Sequence, residues 1–429
     1  MIDKTKDKKI NRAVLVGLHA HNLTKEENAT ESSMEELAAL LETAGGETVG
    51  VVTQSKDSPD PRTFIGEGKG QEVKAVVEAM GADMVIFDNP LSPSQQRALS
   101  EDLKVSVMDR AALILDIFAQ RARTREGRLQ VELAQYQYLL PRLIGMWTHL
   151  ERQEGAIGTR GPGETQLETD RRHIRRKISK LKEELEDVRR VRATQRVRRE
   201  KNEVPVVAIV GYTNAGKSTL LNKLTDSDIP ANNRLFDTLD TTTRTLEISD
   251  TCTVLLSDTV GFISKLPHHL VEAFKATLEE LQYADLLLHV IDASNLEWRE
   301  QADVVSQLIR DLDAEQTPCI EVFNKCDQAL GDIRPHGENI VSISAKTGEG
   351  LDELLAAIGK RLDAGVRKVT LHLPYDQGGI LDKLYQEAKV EKVEYSETID
   401  VVAVCTPKTV GQVKQFIEGY EEPKEDWEL

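Results

Sequence analysis

Cysteine is scarce in this chain. Cys252, Cys319, Cys326 and Cys405 are scattered over 429 residues, with no CxxC pair and no ligand-like spacing. That excludes a disulfide scaffold and a cysteine-held metal, and leads us to expect small buried thiols in a reducing compartment. Long apolar runs are missing as well. No stretch reaches the length of a membrane span, and the Lys-rich, polar N-terminus carries no signal-peptide or twin-arginine pattern. The expectation is a cytoplasmic protein without membrane insertion. No internal repeat is apparent. The net charge of −17 argues against a nonspecific nucleic-acid coat. What remains, 40% apolar and 30% charged residues, is ordinary globular protein, long enough for roughly two to four domains.

The most informative stretch is Gly211-Tyr212-Thr213-Asn214-Ala215-Gly216-Lys217-Ser218, continued by Thr219. It follows the apolar run Val206–Val210 and precedes the helix-like Thr219–Leu224. A strand, a glycine-bearing loop ending in Lys-Ser and a helix form a phosphate loop, whose backbone N–H groups cradle phosphates. Lys217 then reaches the β- and γ-phosphates, and the Ser218 hydroxyl is a ligand for Mg²⁺. Asp258-Thr259-Val260-Gly261 follows the strand candidate Val254–Leu256. There Asp258 would reach Mg²⁺ through water, and the Gly261 N–H would sense a γ-phosphate. Asn324-Lys325-Cys326-Asp327 follows the strand candidate Cys319–Phe323. A carboxylate at Asp327 accepts from the guanine N1–H and exocyclic amine, whereas adenine would leave it unpaired. Ser344-Ala345-Lys346, after Asn339–Ile343, suits the loop whose backbone contacts the base oxygen. Each short motif is weak alone. Their order makes the nucleotide GTP, with GDP as product.

Between the phosphate loop and Asp258 lies Phe236-Asp237-Thr238-Leu239-Asp240-Thr241-Thr242-Thr243. A switch loop needs a threonine that binds Mg²⁺ and contacts the γ-phosphate. Thr238, Thr241, Thr242 and Thr243 all qualify, and part of the run reads equally as an edge strand. Phe262 stands where many GTPases have a water-orienting Gln. It either packs, with the water held by other groups, or leaves hydrolysis dependent on a docked partner. We favour the partner. No catalytic side chain is assigned.

Residues 171 to 201 hold fourteen Lys/Arg against five Asp/Glu. Ile174, Ile178, Leu181, Leu185 and Val188 form a heptad stripe there, matched upstream by Leu129, Leu133, Tyr136, Leu140, Leu143 and Trp147. The two stripes predict an antiparallel helical hairpin with a mobile glycine-rich tip over 155–164 and a bend or break at Pro141. Arginine grips phosphate through paired N–H groups. Arg160, Arg171, Arg172, Arg175, Arg176, Arg189 and Arg190 are therefore candidate RNA contacts.

The expected fold class is α/β, with a helical hairpin and a small α+β appendage. Residues 1–109 form a small α/β domain, with strands at Ala13–Gly17, Thr48–Thr53, Met84–Asp88 and Val105–Met108 and helices at Met34–Ala44 and Gln71–Met80. Residues 110–200 form the hairpin. Residues 201–364 form a P-loop GTPase domain with a doubly wound mixed sheet. Residues 365–429 form a small α+β domain, with strands at Lys368–Leu373 and Thr398–Cys405, a helix at Gly379–Ala388 and an acidic tail from Glu418. The glycines of Thr63–Lys69 read as a tight turn rather than a second phosphate loop.

The chain also closely resembles the HflX family of bacterial GTPases, within the Obg–HflX-like superfamily. The resemblance spans almost the whole length. It rests on EGRLQVELAQYQYLLPRL (126–143), RGPGETQLETDRRHIRRKI (160–178), DNPLSPSQQRAL (88–99), DRAALILDIFAQRARTREG (109–127) and the motif order. It implies an N-terminal α/β domain, a helical hairpin and a GTPase domain, with Thr238 as the magnesium-binding switch threonine beside Ser218. A hydrophobic residue at position 262 agrees with it, and Cys326 is a mild variation. The implied partner is the large (50S) ribosomal subunit with its rRNA, which stimulates hydrolysis. The implied task is splitting ribosomes stalled by stress, with the hairpin tip approaching the peptidyl transferase region. The C-terminal part varies across the family and inherits no role. Off the ribosome a monomer is expected. Two rivals stand beside this reading: a GTP-gated assembly or signalling adaptor, and an RNA remodeller with a second nucleotide site in the N-terminal domain. Lys217→Ala is expected to abolish nucleotide binding and Asp327→Asn to turn base preference from guanine toward xanthine. Competition between GTP and XTP for a fluorescent guanine nucleotide measures both.

Overall fold

The computed structural model describes residues 11–24, 27–146, 162–202, 204–225, 235–236, 242–249, 252–266, 270, 279–328, 335, 337–362, 367–396, 398–405 and 407–417. By internal contacts it divides into two units, one of residues 1–245 and 255–351, the other of 246–254 and 352–429.

The first unit opens with a parallel sheet. β1 (Arg12–Ala20), β2 (Glu47–Lys56), β3 (Met84–Phe87) and β4 (Ser106–Asp109) lie in the order β2-β1-β3-β4. α1 (Glu31–Thr43) and α4 (Arg110–Arg121) cover one face; α2 (Glu67–Met80) and α3 (Pro93–Leu103) cover the other. β1 is buried on nearly every residue, as a strand with helices on both sides requires. Local chemistry sets the helix starts. Thr30 with Ser33, and Ser92 with Gln95, form reciprocal caps, and Asp109 accepts from Ala112 N–H. α2 begins at Glu67, so only the first part of the expected Thr63–Lys69 turn is a turn, and Glu67, Gly68 and Lys69 are helical.

α5 (Arg125–Met146) and α6 (Pro162–Asn202) pair through Leu129, Leu133, Leu181 and Leu185, with Tyr136, Ile178 and Val188 against them. These members of the two heptad stripes thus form a seam, while Trp147 lies outside the described residues. α5 runs unbroken through Pro141, contrary to the expected interruption. α6 starts at Pro162, a favoured first helical position, so Pro162-Gly163-Glu164 belong to the helix and not to the tip. Residues 155–161 lie outside the described residues.

The GTPase sheet has the order β10-β9-β8-β5-β7-β6. Its strands are β5 (Val206–Gly211), β6 (Thr242–Ser249), β7 (Cys252–Asp258), β8 (Leu286–Asp292), β9 (Cys319–Asn324) and β10 (Ile340–Ser342). The pairings from β10 through β7 are parallel. α7 (Lys217–Thr225) follows β5, and α8 (Trp298–Asp311) packs on β8. Thr242 and Thr243 lie in the edge strand β6, the alternative weighed for the threonine run.

The second unit holds α9 (Leu351–Leu362, but for its first residue) and a sheet ordered β11-β13-β12, from β11 (Arg367–Leu373), β12 (Lys389–Tyr395) and β13 (Ile399–Cys405). α10 (Gly378–Glu387) and α11 (Pro407–Val413) cover one face, where Leu371, Leu384, Val401 and Ala403 are fully buried. β12 and α11 were not foreseen. The cysteines are less uniform than expected: Cys405 is buried, but Cys319 and Cys326 are half-buried.

His289 sits in β8 between Val210 and Glu321 of the flanking strands and is 4% exposed. Burial, then the nearby Lys217 charge, pushes its pKa from 6.5 down to about 4. The folded state therefore keeps the ring neutral while the unfolded chain protonates it below about 6.5. Its contribution to stability is present above that pH and is lost as pH falls toward about 4. Relative to His289→Gln, the wild type should lose about 2 kcal/mol between about pH 7 and about pH 5, read by urea unfolding.

Candidate functional site

Parallel strands place their carboxyl ends on one edge of the sheet, and the loops there gather the motifs. Lys217 opens α7 directly after the glycine loop. Its ammonium donates to the carbonyls of Gly211 at 3.0 Å and Tyr212 at 2.8 Å, which curls the loop around it. Burial pushes its pKa down to about 8, with Asp258 opposing that shift. A polyanion in the loop would raise it again. Ser218 Oγ donates to Asp258 Oδ2 at 2.8 Å, so two hard oxygen donors from β7 and α7 meet beside the lysine. Oxygen donors of this kind suit Mg²⁺, which prefers few protein ligands completed by water and phosphate. Among the described residues no cluster of three His, Cys, Asp or Glu competes as a metal site.

Gly216 has φ +94°, and a Cβ there would stand 2.2 Å from Asn324 Nδ2. Only glycine permits that approach. Asn324 uses it to donate to the Ala215 carbonyl at 2.8 Å and accept from Ala345 N–H at 2.9 Å. One side chain therefore ties the phosphate loop, the base motif and the Ser344–Lys346 loop together. Asp327 is held by the Ser344 hydroxyl at 2.7 Å, which also lowers its pKa, so it stays an anionic acceptor. Lys325 donates to Asp292 at 2.6 Å. Asp292 was not singled out from the sequence, although its place at the end of the apolar run Leu286–Ile291 was a usable signal.

The Asp258–Gly261 turn lies on the phosphate loop. Thr259 Oγ1 donates to the Ile209 carbonyl at 2.7 Å. Thr213 N–H donates to the Phe262 carbonyl at 2.6 Å, and Phe262 N–H donates to Gly211 at 3.2 Å. A Cβ on Gly261 would be 3.0 Å from Lys217 Nζ, so the turn passes the lysine at close range. The Phe262 side chain is 2% exposed within the core and is not available to a water molecule. Phe236 is buried, has φ +56°, donates its N–H to Thr213 Oγ1 at 3.3 Å and meets Phe118 of α4 edge-on at 4.7 Å. Asp237, Thr238, Leu239, Asp240 and Thr241 lie outside the described residues.

The RNA candidates divide. Arg172, Arg175, Arg176 and Arg190 are exposed on α6, and Arg171 and Arg189 are half-buried. Arg189 pairs with Glu186 at 3.4 Å and Arg190 with Asp187 at 3.0 Å. Among the described residues no ion pair engages Arg172, Arg175 or Arg176, so these present free charge on the outer face. Arg160 lies outside the described residues. No helix among the described residues is long and apolar enough to cross a membrane.

Sequence reasoning missed the groups that join the N-terminal sheet to this site. Tyr212 of the phosphate loop donates its hydroxyl to Glu36 Oε1 of α1 at 2.6 Å and accepts from Ser264 N–H at 2.7 Å. Glu36 Oε2 takes the Ser264 hydroxyl at 2.8 Å and an ion pair with Arg110. Lys265 pairs with Asp88.

Four family models tile the chain: "GTP-binding GTPase N-terminal" over 31–119, "GTP-binding GTPase Middle Region" over 121–199, "50S ribosome-binding GTPase" over 206–325 and "HflX C-terminal domain" over 332–427. GTPase HflX of Caldanaerobacter subterraneus subsp. tengcongensis is 49% identical over 389 residues, 90% of each chain. GTPase HflX of Escherichia coli is 48% identical over 366 residues, 84% of this chain and 86% of that one. A GTP-binding protein from Sulfolobus solfataricus, solved with GDP, aligns over 83% of this chain and 99% of its own at 24% identity and a TM-score of 0.45. With the phosphate loop, base motif and magnesium-type oxygens converging on one sheet edge, the chain belongs to the HflX family of GTPases.

Proposed function

We propose that this GTPase uses Mg²⁺ and GTP to assume a form that binds the large ribosomal subunit, that it splits ribosomes stalled under stress, and that the ribosome stimulates hydrolysis. The observation that carries the switch is the seating of Gly261 against Lys217, where a γ-phosphate would meet both. Ser218, Thr238 and, through water, Asp258 would hold Mg²⁺, which neutralises charge on the β- and γ-phosphates when bound. Residues 211–219 would cradle the phosphates; Phe236–Asp240 would close over them; Asn324, Lys325, Asp327 and Ser344–Lys346 would read guanine. Phe262 is committed to the core, so no side chain at that position orients water, and this supports hydrolysis that waits for a docked partner. Partner help of that kind is worth about 10³–10⁵ in rate where an arginine is supplied.

Ribosome engagement draws support from the family and from the exposed Arg172, Arg175 and Arg176 on α6. Four expectations remain part of the proposal: a grip on rRNA through Arg160, Arg171, Arg172, Arg175, Arg176, Arg189 and Arg190; a cytoplasmic location; a monomeric state off the ribosome; and the domain limits 1–109, 110–200, 201–364 and 365–429. In sucrose gradients, the protein with a nonhydrolysable GTP analogue should co-sediment with large subunits and deplete intact ribosomes, and with GDP it should do neither. Identical profiles for the two nucleotides would refute the switch. Reversing Arg171, Arg172 and Arg175 to Glu should weaken sedimentation with large subunits about tenfold or more while GTP affinity stays put, because each phosphate contact adds to a salt-dependent sum.

A further inference from the structure

The N-terminal sheet is doubly wound about β1 and β3. α1 and α3, which leave these strands, pack on opposite faces. In open parallel sheets the crevice at the carboxyl ends of two such strands is where small ligands settle. Asn89 shapes this crevice by taking Leu18 N–H at 2.8 Å and donating to the Leu18 and Glu27 carbonyls at 2.9 and 2.7 Å. Asn28 accepts Ala20 N–H at 2.7 Å. The group that fills the crevice comes from the GTPase part of the chain. Lys265 Nζ donates to the Asn28 carbonyl at 2.8 Å and pairs with Asp88, which also takes Ser33 Oγ at 2.8 Å and Arg110 at 2.9 Å.

We propose that Lys265 is the resident ligand of this crevice, a positioning residue through which the N-terminal domain and the γ-phosphate-sensing turn fix each other's position. The coupling rests on the reading of Gly261 as that sensor. Four observations carry it. Lys265 follows Gly261 by four residues, and the intervening backbone is fixed at Phe262 by the phosphate loop and at Ser264 by the Tyr212 hydroxyl. Lys265 itself has φ +58°, a conformation a non-glycine residue holds only when its surroundings impose it. Its side chain is 11% exposed, and that of Asp88 is fully buried. Finally, the charges close: Asp88 and Glu36 against Arg110 and Lys265.

The chemistry also defines what the crevice accepts. A fully buried carboxylate, Asp88, and a half-buried one, Glu36, repel a nucleotide phosphate and select an ammonium or guanidinium. The second-nucleotide reading of this domain therefore loses its natural location. A displacement of Gly261 toward or away from phosphate must be absorbed within four residues or transmitted to α1 and the end of β3. The other side of the site is tied in the same way, since Phe236 rests on Phe118 of α4.

Hydrogen exchange on the full-length protein, loaded with a nonhydrolysable GTP analogue or GDP, tests the link. In the wild type, exchange over 258–262 and over 28–36 should both differ between the two nucleotides. Lys265→Met should keep the difference at 258–262, lose it at 28–36 and shift the analogue-to-GDP affinity ratio about fivefold or more. Lys265→Arg, which keeps the charge, should restore the distant response. The proposal is overturned if 28–36 ignores the nucleotide in the wild type while 258–262 responds, a result that needs no variant to fold. It is equally overturned if Lys265→Met leaves the response at 28–36 intact. Silence at 258–262 itself would instead sink the reading of Gly261 as sensor, and the coupling with it.

Discussion

Two carboxylates and two cations removed from water together are the constraint on which the first unit depends. Asp88, Glu36, Arg110 and Lys265 come from a strand end, two helices and a loop that are far apart in sequence. Each ion alone would pay several kcal/mol to leave water, and only close mutual pairing with further hydrogen bonds offsets that. Ser33, Ser264 and Tyr212 supply those bonds. Such clusters add little net stability over a well-packed apolar core. What they impose is geometry, because a slipped arrangement strands a charge. Here the imposed geometry concerns the relation between an α/β sheet and a phosphate loop.

The strands beneath the site do the rest. β5, β7, β8 and β9 are parallel and buried, so their carboxyl ends present four loops to one volume. Asn324 then ties the Ser344–Lys346 loop to the glycine loop through two hydrogen bonds, and Gly216 leaves room for it. The nucleotide site is thus a property of sheet topology trimmed by a few polar side chains. The neutral His289 below the lysine fits the same design: a positive charge there would compete with Lys217 for the site's field.

Much of this was legible because the responsible signals are local. The glycine loop, the Asp-Thr-Val-Gly turn and the Asn-Lys-Cys-Asp run each announce a backbone shape within a few residues, and their strands follow from short apolar runs. The seam of α5 and α6 was legible because a period near 3.5 persists through both helices. β12 escaped because a bulge between Val390 and Lys392 breaks its two-residue alternation. α4 escaped because Leu113, Ile114, Leu115, Ile117 and Phe118 are all buried, which erases the polar stripe that marks a helix. α3 did carry a readable start in Ser92, Pro93 and Gln95. The ion cluster had no local signature at all. Glu36 meets Ser264 across 228 positions, and no short pattern encodes such a meeting.

The second unit is discontinuous. It combines the end of β6 and the start of β7, residues 246–254, with everything from Asp352 onward. Leu246 and Val254 are buried, and Ile248 packs by Gly359 of α9. A fragment ending at residue 351 would therefore split this unit, keeping Ile248 and losing the helix it rests on. Anyone cutting this chain should keep the 246–254 ribbon and α9 together, because the two share one wall within the second unit.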